Sequence, residues 1–138
     1  MPIIQAKSDE EILASYTVMK QLRPHLQKES YVNEIKQLQL QYGYNLITMI
    51  QDGAVKAAAG YRISSSLAWG KYLYVDDLIT DEDSRTNGYA AQLFDWLEEE
   101  LHRNNCVSIH LDSGVHRHDA HRFYLNRKMR ITSHHFQS

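Results

Sequence analysis

Cysteine occurs once in this chain of 138 residues, at Cys106, and proline only twice, at Pro2 and Pro24. A lone thiol excludes an intrachain disulfide, and its place in an apolar, strand-like run suits a buried, inert side chain rather than a nucleophile. No apolar run approaches the ~18 residues a helix needs to cross a bilayer. The opening Met1-Pro2-Ile3-Ile4-Gln5 has no basic stretch leading into an apolar core, so a cytoplasmic protein without a membrane role is expected. Charge of one sign is lacking too: 15 Lys and Arg stand against 17 Asp and Glu, a formal net charge of -2. That balance gives no general attraction to nucleic acid or anionic lipid. Repeats, low-complexity tracts and linkers are absent, and the length suits one domain spanning residues 1–138.

What is present is an ordinary globular composition, 43% hydrophobic and 23% charged. Ile3 to Ala6 reads as a first strand. Ser8-Asp9-Glu10-Glu11 is a capping box that starts a helix, which Pro24 ends by its missing N–H. A second helix is expected from Tyr31 to Gln41, with Val32, Ile35 and Leu38 on one stripe. Asp52-Gly53 lies between the apolar runs Tyr44–Ile50 and Val55–Ile63 and signals a hairpin. Tyr72 to Thr80 is a fourth strand, Ala90 to Arg103 a third helix, Val107 to Leu111 a fifth strand and His118 to Lys128 a fourth helix. Arg130 to Phe136 would close the order as β-α-α-β-β-β-α-β-α-β, an α+β (α/β) domain on a mixed sheet of about six to seven strands.

The stretch Ser84-Arg85-Thr86-Asn87-Gly88-Tyr89-Ala90-Ala91 joins the fourth strand to the third helix. A segment feeding a helix N-terminus offers free amides and the positive end of the helix dipole to an anion. Gly88 lets the backbone turn freely and approach a diphosphate closely. With the strand Val75-Asp76-Asp77-Leu78-Ile79-Thr80 before it and Ala120-His121-Arg122-Phe123-Tyr124 one βα unit later, the region Tyr72 to Met129 resembles the GNAT acyl-CoA N-acyltransferase superfamily.

That resemblance implies an acetyl-CoA cofactor site made by Leu78, Ile79 and Thr80 on the strand and by Arg85, Thr86, Asn87, Gly88, Tyr89, Ala90 and Ala91 on the phosphate segment. Leu78 and Thr80 present backbone groups in one direction, spaced to pair with the pantetheine amides as a further strand would. Tyr124 matches the family's general acid, whose phenolic pKa of about 10 suits proton transfer to a thiolate. A strand amide near Leu78 would polarise the thioester carbonyl. Asp76-Asp77 resembles the Glu-Asp pair of the superfamily's polyamine acetyltransferases. Asp76 is thus the expected base, and Asp77 points to the opposite face unless a bulge intervenes. Tyr31, Tyr72, Tyr74 and Asp77 would line the acceptor pocket. The chain departs from the family pattern in carrying Arg117 where an Asn is common and Lys128-Met129 where a Gly-Phe pair follows the fourth helix.

The implied activity is acetyl transfer to the primary amine of a small molecule by direct attack in a ternary complex. Transfer to a protein or peptide amine, and a regulatory module that binds acyl-CoA without turnover, are the alternatives. Eight histidines raise a zinc site, but no His-Glu-x-x-His or Cys-x-x-Cys spacing is present and no metal is expected. The missing seventh strand leaves two readings, a sheet ending at six strands or a homodimer that covers the edge.

Overall fold

The computed structural model describes residues 2–138, and the Thr86 side chain lies outside the described residues. A first strand, β1 (Ile3–Gln5), leads to the capping box, which forms as expected. The Glu11 amide donates to Ser8 Oγ at 3.1 Å, and Glu11 Oε1 accepts from the Ser8 amide at 3.0 Å. The single helix expected from there to Pro24 is instead two, α1 (Asp9–Ala14) and α2 (Tyr16–Leu22), jointed at Ser15. Ser15 is fully buried and its hydroxyl bonds both Ile12 O and Tyr31 Oη, each at 2.6 Å. At the joint the Ser15 amide bonds Ile12 O, a three-residue turn, while Ser15 O accepts from the Met19 amide at 2.9 Å and starts α2. A longer helix follows, α3 (Lys28–Tyr42), ended by Gly43 in the left-handed conformation.

Asp52 and Gly53, both with positive φ, make the two-residue turn between β2 (Asn45–Gln51) and β3 (Ala54–Ser66). β4 (Gly70–Thr80) pairs antiparallel with β3 and parallel with β5 (Ser108–Leu111), giving the sheet order β1-β2-β3-β4-β5. Between β4 and β5 run a 3-10 turn (Glu82–Asn87) and α4 (Tyr89–Arg103), and α5 (His118–Asn126) follows β5. Leu73 and Val75 of β4 face α4, where they meet Leu93, Phe94 and Leu97. Ile79 faces the other way, into a second core with Ile12, Tyr31, Ile35 and Leu46. None of the described helices is long and apolar enough to cross a membrane.

The sheet has five strands among the described residues, not six or seven. Arg130 to Phe136 forms no strand and runs exposed, with Ile131 at 75% and Phe136 at 90% of full accessibility. These two apolar residues are five apart and separated by Thr, Ser and two His, so period-two alternation puts them on opposite faces and gives no side to bury. α5 ends at Asn126, two residues short of the expected Lys128, which takes positive φ where the resemblance puts a glycine.

Candidate acyl-transfer site

The β4–β5 pairing ends at Val75 and Leu111, and beyond it the two strands part. The far half of β4 therefore keeps one edge on β3 and leaves the other open. Direction follows from one bond: the Asp81 amide donates to Lys56 O on β3 at 2.8 Å. Since amides alternate along a strand, Ile79 also faces β3, and Leu78 and Thr80 turn their N–H and C=O toward the gap.

A cleft of about 490 Å³ occupies that gap, lined by Asp76, Asp77, Leu78 and Ile79 of β4, by Arg85, by Arg117 just before α5, by Tyr124 of α5, and by Arg23 beyond α2. Thr80, Asn87, Gly88, Tyr89, Ala90 and Ala91 lie outside its immediate wall. Asn87 and Gly88 are exposed, the Tyr89 ring is core, and Ala90 and Ala91 are half-buried. The segment is a 3-10 turn rather than an open loop. It is tethered by Gln21, which donates to Asp81 Oδ1 at 2.9 Å and accepts from the Glu82 amide at 3.0 Å. Gly88 adopts φ +74°, and a Cβ built there meets nothing within 4 Å, so the space over this residue is open. The first α4 bond runs from the Gln92 amide to Gly88 O, no side chain caps the helix, and the amides of Tyr89, Ala90 and Ala91 precede it. Uncapped amides, open space and Arg85 nearby fit a diphosphate. The open β4 edge fits a pantetheine arm.

A bulge decides where the two carboxylates point. Gly60 pairs with Asp77 and Tyr61 with Val75, so Asp76 is the extra residue on β4. The exception allowed for Asp77 is what occurs, and both carboxylates emerge on the side of α1–α3. Asp76 is clamped by Arg62, with Nε donating to Oδ2 at 2.7 Å and Nη2 to Oδ1 at 2.8 Å. Asp77 Oδ1 accepts from Arg23 Nε at 3.0 Å and Oδ2 from Tyr44 Oη at 2.7 Å, and Arg23 Nη2 also donates to Asp76 O at 2.9 Å. Gly60 makes the Tyr44 bond possible, because a Cβ there would lie 1.8 Å from the phenolic oxygen. Burial first, then the Asp77 carboxylate, push the Tyr44 pKa well above that of a free phenol.

Tyr124 packs at 6.2 Å from the Phe94 ring and 5.6 Å from Phe123, and none of the described residues hydrogen-bonds its hydroxyl. Burial raises its pKa, with Arg117 pulling the other way, so the phenol carries its proton at neutral pH.

The other predicted residues sit elsewhere. Tyr31 is fully buried and bonded to Ser15, so it is core and not a pocket wall. Tyr72 and Tyr74 share the Asp76 face but line neither this cleft nor its neighbour. Tyr72 meets Trp69 edge-on at 5.0 Å, and Tyr74 lies under the Arg62 guanidinium. His110 stacks on Trp69 at 3.6 Å and bonds Ser108, while His135 reaches Asp112 at 2.9 Å. No group of three His, Cys, Asp or Glu that could hold a metal occurs among the described residues. The sequence reading missed Arg23, Arg62 and Tyr44. Only Arg62 left a signal, as a charge amid the apolar run Tyr61-Arg62-Ile63 that calls for a partner on the next strand.

Parallel strands that part beside an uncapped helix N-terminus leave a cleft suited to an extended, anionic ligand. The chain belongs to the acetyltransferase (GNAT) family, whose sequence model matches residues 9–129. It is 31% identical over 123 residues to an uncharacterized N-acetyltransferase, YhdJ, of Bacillus subtilis strain 168, covering 89% of this chain and 87% of that one. In fold it is similar to a putative acetyltransferase from Agrobacterium tumefaciens C58, with TM-score 0.84, 20% identity and coverage of 100% and 99% of the two chains. A ribosomal-protein-alanine N-acetyltransferase from Brucella melitensis biovar Abortus 2308 gives TM-score 0.81 at 14% identity, with both chains covered in full.

Proposed function

We propose that this protein transfers the acetyl group of acetyl-CoA to the primary amine of a small molecule, by direct attack with both substrates bound. One observation carries the reading: the open edge of β4, the two carboxylates of its bulge and the Tyr124 phenol all border one cleft. Acetyl-CoA would supply the acetyl group as a thioester, held by the Leu78 and Thr80 backbone, the amides of residues 85–91 and Arg85. The Leu78 amide polarises the thioester carbonyl. Asp76 receives the proton that leaves the attacking amine nitrogen. As the C–N bond forms and the C–S bond breaks, the electron pair goes to sulfur and Tyr124 gives it a proton. Tyr124 suits that task because burial keeps it protonated.

The test is a thiol-release assay with acetyl-CoA and a panel of free amines and short peptides. Thiol release that depends on a free amine, with the acetylated amine seen by mass spectrometry, supports the reading. Release only with peptides moves the acceptor to proteins, and coenzyme A binding without product leaves a binding module. The Brucella relative acts on a protein alanine by its name, but at 14% identity the likeness extends to the fold alone and does not direct the acceptor here.

A further inference from the structure

On the far side of the β4 bulge lies a second cavity of about 390 Å³, lined by Leu38, Tyr42, Tyr44, Arg62, Asp76 and Asp77. Asp76 and Asp77 border both cavities, and no other described residue does. The bulge makes this meeting possible by turning two successive carboxylates to one face. Resting on the acyl-transfer reading above, we infer that the second cavity is the acceptor site and that it takes a monoamine carried on an apolar body, not a polyamine.

Charge and lining point the same way. The cavity wall holds two carboxylates and one guanidinium, and Arg62 takes both oxygens of Asp76. Arg23, reaching in from the first cavity, pairs with Asp77. With Arg62 on Asp76 and Arg23 on Asp77 the two carboxylates are already balanced, so the amine meets them as the neutral base that attack requires, and no carboxylate is left to hold further ammonium groups. A polyamine would leave its further charges beside two guanidinium groups. The rest of the wall is apolar: Leu38 and Tyr42 stand at the end of α3, 37% and 65% exposed, with the Tyr44 ring behind them. An aryl or alkyl chain entering past Leu38 and Tyr42 buries that surface and delivers its amine to the bulge.

The experiment compares 2-phenylethylamine and hexylamine with putrescine and spermidine as acceptors, in the wild type and in Leu38→Glu and Tyr42→Ala. Both variants change exposed positions, and saturation-transfer NMR reports 2-phenylethylamine binding without turnover. The expected result is kcat/KM at least tenfold higher for the two monoamines. In Leu38→Glu the acceptor KM rises at least fivefold, with the acetyl-CoA KM within twofold of wild type and the NMR signal lost. Preference for spermidine, or an acceptor KM unmoved by both variants, overturns the inference while leaving acetyl transfer intact. If coenzyme A binds and no amine is acetylated, the function falls and NMR alone decides the cavity: a signal that Leu38→Glu abolishes sustains an apolar amine site, and no signal overturns it.

Discussion

In the proposed reaction Tyr124 is the proton donor. Its phenol sits in the cleft among aromatic rings, without a protein partner among the described residues, and burial raises its pKa. Tyr124→Phe keeps the packing and deletes the proton. Loss of a general acid costs roughly 10²–10⁴ in rate, so kcat should fall by at least a hundredfold with the acetyl-CoA KM within twofold. The sign of the pH dependence follows: the protonated form is the active one, so wild-type kcat declines only as pH rises through a value above the ordinary ~10 of a phenol. That alkaline limb should vanish in the variant. An unchanged kcat would remove Tyr124 from the mechanism.

At the scale of elements, two contacts across the core carry the site. Gly60 on β3 leaves the gap through which Tyr44 reaches Asp77. In Gly60→Ala the new methyl would fall 2.2 Å from Tyr44 Cζ, far inside van der Waals contact. Overpacking of this kind costs about 1–3 kcal/mol or more. The urea midpoint should drop at constant m-value, and the loss in Gly60→Ala/Tyr44→Ala should be smaller than the sum of the two single losses, as residues in contact do not add. The second contact is the Ser15–Tyr31 bond, which locks α3 to the joint between α1 and α2. Burial pushes the Tyr31 pKa up to about 12. A folded-state value above the unfolded ~10 means stability that is complete below about pH 10 and lost as pH climbs toward 12. Equilibrium unfolding from pH 9 to 12 should show that decline, and Tyr31→Phe should make it shallower, leaving the part due to Tyr44 and Tyr124.

For the whole molecule, ligand linkage gives the broadest test. A ligand at a hundredfold its Kd stabilises the folded state by about 2.7 kcal/mol, so saturating coenzyme A should raise Tm by several degrees. Arg85→Ala, which removes a cation from the cleft wall, should reduce that rise without changing the Tm of the free protein. The elements of this fold were legible wherever the signal was local: the Ser8 capping box, the Asp52-Gly53 turn, and the apolar stripe of α4 that buries Leu93, Phe94 and Leu97. What escaped depends on partners distant in the chain. The joint at Ser15 carries a hydroxyl bond to Tyr31 that no local pattern announces, and Arg23 and Arg62 matter only once the register brings them to β4. Residues 130–136 carry strand-forming types but no apolar face to lay on the core. Of the site residues read from the motif, Leu78, Arg85 and Tyr124 border the cleft, whereas Tyr31 is core.

The bulge at Asp76 has one more implication. Strike that residue out and Val75 is followed directly by Asp77, which restores unbroken pairing with Tyr61 and Gly60 while Leu78 and Ile79 keep their faces. The scaffold thus carries one supernumerary amino acid, and it is an acid. A single-codon deletion of Asp76 should yield a protein that folds, melts near the parent and still retains coenzyme A, yet no longer turns over. Architecture and reactivity would then be editable apart, with one strand position as the seam between them.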